Sequence, residues 1–105
     1  MEFTVEEHGS TVLIGFHGRL MGGPSTDQLM SICKEQLLKG CFDRVVLDFK
    51  DLSWLNSSGL GALISLYAAV NEAKKNLVTY RVSRRIADIF VHTKMDTVFK
   101  EIEKL

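Results

Sequence analysis

The stretch Val45-Val46-Leu47-Asp48-Phe49, followed by Leu52-Ser53-Trp54-Leu55-Asn56-Ser57-Ser58-Gly59-Leu60-Gly61, decides the fold. Its first five residues form a β-branched, nearly continuous apolar run. That run is short enough for a strand, and its pattern is that of a central strand covered by helices on both faces. After the serines, Leu60, Leu63, Ile64 and Tyr67 fall on one side of a 3.6-residue repeat, which predicts a helix capped by Asn56 or Ser57.

Working outward, Phe3 and Val5, then Val12, Ile14 and Phe16, alternate with polar or small residues across a turn at Glu7-His8-Gly9-Ser10. This pattern predicts an antiparallel hairpin. Arg19-Leu20-Met21-Gly22-Gly23-Pro24 reads as a loop. Ser25 or Thr26 then caps a helix carrying Leu29, Ile32, Cys33 and Leu37 on its inner side, and Gly40 ends it. Leu77 to Val82 reads as a further strand. Ser83 opens a third helix with Ile86, Ala87, Ile89 and Phe90 inward, and Thr97 to Ile102 fits either a last strand or a helical tail. The expected architecture is α/β: a single-layer, mostly parallel β-sheet with an N-terminal antiparallel hairpin and helices packed on it. One domain, residues 1–105, accounts for the chain.

In such a sheet the segments leaving the carboxyl ends of the parallel strands meet on one edge, so Gly18 to Pro24 and Lys50 to Ser58 are expected to converge. Ser57 and Ser58 then stand at a helix N-terminus, where unpaired N–H groups and the helix dipole favour negative charge. Serine is also a favoured cap, so capping alone is a competing reading of both residues. Gly59 and Gly61 each cost up to about 1 kcal/mol against alanine in a helix, which points to a close approach by a partner or a neighbouring strand.

Composition narrows the function. Apolar residues make up 46% and charged residues 25%, and thirteen basic side chains balance thirteen acidic ones. A neutral summed field gives no pull toward nucleic acid or anionic lipid, so neither is an expected partner. The N-terminus has no signal-like segment and no apolar run approaches bilayer length, so the expected location is cytoplasmic. Cys33 and Cys41 have neither CxxC spacing nor a histidine beside them, which leaves no metal, no disulfide and no cofactor to expect. No G-x-S-x-G elbow surrounds Ser58, Gly59-Leu60-Gly61 lacks the third glycine of a dinucleotide loop, and no acid, base and nucleophile lie grouped in the sequence. The expectation is therefore a non-enzyme with no catalytic residues.

The string from Val46 to Gly61, an apolar strand ending in Leu47-Asp48 followed by Asn56-Ser57-Ser58-Gly59-Leu60-Gly61, resembles the signature of STAS domains, in particular bacterial anti-sigma factor antagonists. Gly18-Arg19-Leu20 and Val82-Ser83 look like further landmarks of the family. The resemblance implies partner switching. The protein would bind an anti-sigma factor with serine kinase activity and would be released from it by phosphorylation of Ser58, which matches the phosphoacceptor position; Ser57 matches the neighbour left unmodified. The implied docking residues are Met21, Gly22, Gly23, Asn56, Ser57, Ser58, Gly59 and Gly61, on a monomer or weak dimer. The alternative is a constitutive STAS scaffold in which the serines only cap the helix.

The chain departs from the family at Asn56, where aspartate is usual, and at Met21, where aspartate commonly follows Gly-x-Leu. It ends at Leu105 without the usual closing helix, which is expected to expose one side of the sheet. Trp54 is expected to plug the core beneath the loop. Arg84-Arg85 reads as solvated charge, and His8, His17 and His92 read as unrelated turn, strand and surface residues.

Overall fold

The computed structural model describes residues 1–40 and 42–105, so the reading of Cys41 lies outside the described residues. Strands β1 (Glu2–His8) and β2 (Thr11–Leu20) form the antiparallel hairpin, and Gly9 supplies the left-handed φ of 61° that its tight turn requires. Then follow α1 (Pro24–Lys39), β3 (Arg44–Leu55), α2 (Ser57–Glu72), β4 (Asn76–Tyr80), α3 (Arg84–His92) and a two-residue β5 (Glu101–Ile102). The sheet order is β1-β2-β3-β4-β5, with every pairing after the hairpin parallel. This is the mixed α/β architecture expected from the sequence.

Each crossover moves the chain one strand further in the same direction, and right-handed crossovers of that kind put every helix on one face. On that face Val12, Ile14 and Phe16 of β2 and Val45, Leu47 and Phe49 of β3 pack with Leu29 and Cys33 of α1, Leu63, Leu66 and Val70 of α2, and Ile86 and Phe90 of α3. A row of rings runs through it. Phe3 meets Phe16 at 5.1 Å, Phe16 meets Phe49 at 5.0 Å, and Phe49 meets Phe90 at 6.2 Å between centroids. Full burial of each such side chain stabilises the fold by roughly 1.5–3 kcal/mol.

The expectation of helices on both faces of β3 is corrected: the second face of the sheet carries none. Leu13, Val46 and Asp48 point to that face and are still buried. Asp48 is held there by two charge-assisted hydrogen bonds, Arg81 Nε to Oδ1 at 3.0 Å and Arg81 Nη2 to Oδ2. The Arg81 guanidinium, which also lies over the Tyr80 ring, has its pKa raised by the hydrogen bond to Asp48.

Several boundaries also move. The segments read as loops, Arg19 to Pro24 and Lys50 to Ser58, are largely structured: β2 runs to Leu20, β3 runs to Leu55, and α1 begins at Pro24. Proline is tolerated in the first helical turn because its missing N–H has no intrahelical partner there, so Gly23 caps α1 without a side-chain bond and neither Ser25 nor Thr26 does. Gly40 ends that helix in a left-handed conformation, as expected. Ser83 caps α3, its Oγ accepting from Ile86 N at 3.3 Å. β3 carries one extra residue against β2 twice, between Gly15 and His17 and between Gly18 and Arg19, and beyond Asp48 it pairs only with β2.

Candidate functional site

The carboxyl ends of β2 and β3 reach the same edge together, paired to Leu20 and Leu55, and α2 starts two residues later. Asn56 is the N-cap. Its Oδ1 accepts from Gly59 N at 2.8 Å, while its Nδ2 donates to the Met21 carbonyl at 3.2 Å and its backbone N–H donates to the Leu20 carbonyl at 3.3 Å. An aspartate at this position would make the first bond but has no proton for the second. The asparagine that departs from the family pattern therefore ties the β2–α1 connection to the start of α2.

Ser57 and Ser58, the first two helical residues, are both exposed, and among the described residues neither hydroxyl takes part in a hydrogen bond. The capping reading of these two serines is thereby corrected, since Asn56 occupies the role. No acidic side chain stands in the first turn of α2, so the partial positive charge of the helix end is uncompensated and an anion there gains roughly 0.3–1 kcal/mol.

The glycines around Ser58 have separate reasons. A Cβ on Gly59 would overlap the Leu20 carbonyl oxygen, so it is a neighbouring strand of the same chain that approaches there. A Cβ on Gly22, whose φ is 89°, would come 2.7 Å from the Ser58 Cβ. Gly23 turns the chain into α1, its carbonyl accepting from Thr26 and Asp27. Gly61 meets nothing within 4 Å and faces solvent. Met21, Gly22, Asn56, Ser58 and Gly59 are thus gathered at one point, with Gly23 beside them and Gly61 one turn further along the helix.

Sequence reasoning missed three neighbours. Trp54 is not a core plug: it is 40% exposed, because it stands on the part of β3 that has no β4 beside it. The Arg85 guanidinium lies 6.0 Å from its ring centroid, giving that basic residue a contact where only solvated charge was expected. Ile64, expected inward, is 41% exposed, and the buried side of α2 is instead Leu60, Leu63, Leu66 and Val70. From Ser57 to Asn71 the helix carries no charged side chain, so its outer face of Gly61, Ile64, Ser65 and Ala68 meets solvent uncharged. That run of fifteen uncharged positions was the available signal.

Cys33 is buried, and burial pushes its thiol pKa up, consistent with the small-hydrophobe reading. Among the described residues no group of three His, Cys, Asp or Glu side chains could hold a metal ion, and no helix is long and apolar enough to cross a membrane.

A family model for the STAS domain matches residues 2–105. Solved structures agree on the fold. The anti-sigma factor antagonist SpoIIAA in its unphosphorylated form is similar with a TM-score of 0.75 at 17% identity, over 99% of this chain and 90% of that one. A putative anti-sigma factor antagonist from Thermotoga maritima gives a TM-score of 0.84 at 12% identity, over 98% and 87%. The murine anion transporter Slc26a9 contains a similar unit, with a TM-score of 0.65 at 13% identity over 83% of this chain and 14% of the transporter. A search of curated protein sequences gives no match.

Proposed function

Because this chain belongs to the STAS domain family, we propose that it acts, as one domain over residues 1–105, as an anti-sigma factor antagonist: a bacterial, cytoplasmic, non-enzymatic regulator of transcription by partner switching. Its partner is an anti-sigma factor with serine kinase activity, and phosphorylation of Ser58 breaks the complex.

One observation carries this reading. Asn56 caps α2, so the Ser58 hydroxyl stands exposed with no capping duty, at a helix end that favours an anion. A phosphate of about −1.5 to −2 charges is tolerated by the folded monomer and falls against whatever docks on Met21, Gly22, Trp54 and the uncharged face of α2. Like-charge repulsion and desolvation at such an interface cost several kcal/mol.

The test is a binding assay between the chain and an anti-sigma kinase from its own host. Wild type and Ser58→Ala should bind, while Ser58→Asp, folded by circular dichroism, should lose at least tenfold in affinity. Equal binding by Ser58→Asp would sink the proposal. The similar unit inside a transporter supports a second reading, a constitutive scaffold, under which protein from the native host carries no phosphate at Ser58 by intact mass.

A further inference from the structure

On the helix-free face of the sheet, three strands bring together a hydroxyl, an imidazole and a carboxylate. Thr4 Oγ1 lies 3.2 Å from His17 Nε2, and His17 Nδ1 lies 3.1 Å from Asp51 Oδ2. A carboxylate only accepts, so the neutral imidazole satisfies both contacts by donating from Nδ1 to Asp51 and accepting the Thr4 proton at Nε2. A nucleophile on a base, and that base oriented by an acid, is the arrangement of hydroxyl-based acyl transfer.

Two further features build the site. Gly15 lies in the interior of β2, where glycine weakens a strand, and a Cβ there would overlap Thr4 Oγ1 and come 3.2 Å from His17 Nε2. The missing side chain is the space in which hydroxyl and imidazole meet. One of the two extra residues of β3 falls between the Gly15–Asp48 and His17–Asp51 pairs, and this bulge brings Asp51 level with His17.

We propose that Thr4 is an activated hydroxyl that accepts an acyl group from small neutral esters, with His17 as its general base and Asp51 as the residue that orients it. As Oγ1 bonds to the carbonyl carbon, its proton passes to Nε2. As the tetrahedral adduct collapses, the ester C–O bond breaks, the leaving oxygen takes the bonding pair and then the proton from the imidazolium, and Thr4 is left esterified. Glu2, paired with His17 in the hairpin, and Asp51, bonded to His17, put carboxylates on the strands either side of the imidazole, which disfavours acyl or phosphoryl donors that are themselves anionic.

The probe is p-nitrophenyl acetate with the full chain, read by peptide mapping of the acetyl group and by p-nitrophenol release. Thr4 should be acetylated ahead of every other hydroxyl. His17→Ala should slow it by about 100-fold or more, the usual worth of a positioned base. Added imidazole should restore part of the His17→Ala rate, which a purely structural role for His17 does not predict. Asp51→Asn should fall toward the His17→Ala rate, and Asp51→Glu should recover part of it. Anionic acetyl phosphate should react more slowly than the neutral ester. Acetylation spread over the surface without preference for Thr4, or an unchanged Thr4 rate in His17→Ala, would overturn the proposal.

Discussion

The carbonyl oxygen of Leu20, at the end of β2, occupies the space that a side chain on Gly59, in the first turn of α2, would need. Backbone cannot rotate away as a flexible side chain can, so Gly59→Ala must push α2 off the strand. Overpacking of this kind costs about 1–3 kcal/mol, more than alanine's helix preference returns. Gly61→Ala meets open space and should stabilise by about 0.5–1 kcal/mol. Opposite shifts of the urea midpoint for two glycines in one helical turn are the expected result.

Asn56 makes one bond that aspartate could copy and one that it could not. Asn56→Ala should cost about 0.5–2 kcal/mol, the usual worth of a cap. Asn56→Asp should cost less, since it keeps the bond from Gly59 and favours the dipole while losing the donor to Met21. Chemical denaturation of the three proteins side by side gives the order asparagine, aspartate, alanine if the cap dominates.

Trp54 is the chain's one tryptophan and stands on the proposed docking edge, so its emission reports on that edge alone. Binding of the anti-sigma partner should shift the emission to the blue and protect it from acrylamide. Trp54→Ala should weaken binding by tenfold or more, as buried aromatic anchors do, while changing stability by about 1 kcal/mol or less. An emission spectrum unmoved by saturating partner would place the interface elsewhere.

The strands and helices were legible because their apolar residues recur with periods of two and 3.6 residues, and the hairpin, the capping of α3 at Ser83 and the end of α1 at Gly40 follow from that. The extension of β3 was not. Lys50-Asp51-Leu52-Ser53-Trp54-Leu55 is polar enough to pass for a loop, and only its pairing with β2 makes it a strand. Trp54 and Ile64 were misplaced for one reason: apolar character predicts burial only where an apolar surface lies opposite, and Trp54 meets the Arg85 guanidinium while Ile64 stands on the outer face of α2. The sequence could show that Ser57, Ser58, Gly59 and Asn56 belong together because they are neighbours in the chain. Thr4, His17 and Asp51 are far apart in it, and only the register of three strands joins them.

Cys33 gives a pH prediction. Burial raises its thiol pKa in the folded chain, so below the unfolded thiol value the protonated form suits both states and the contribution to stability is full. As pH rises past about 8.5 the unfolded chain ionises first, and the contribution falls until the folded pKa is passed. Stability should decline on the alkaline side, and Cys33→Val should flatten that decline in urea titrations run at neutral and alkaline pH. Iodoacetamide should label Cys33 only after unfolding, as seen by mapping its peptide.

Beyond His17 and Asp51, β2 and β3 run on as a two-stranded ribbon with no third strand alongside. The ribbon is a strut and not a free arm: it leaves the sheet near the end of β4, and Leu20, Leu52 and Leu55 seat its far end in the same apolar cluster as α2. A load on the α2 end is therefore carried straight into the interior, and the docking edge and the hub of the molecule move as one piece.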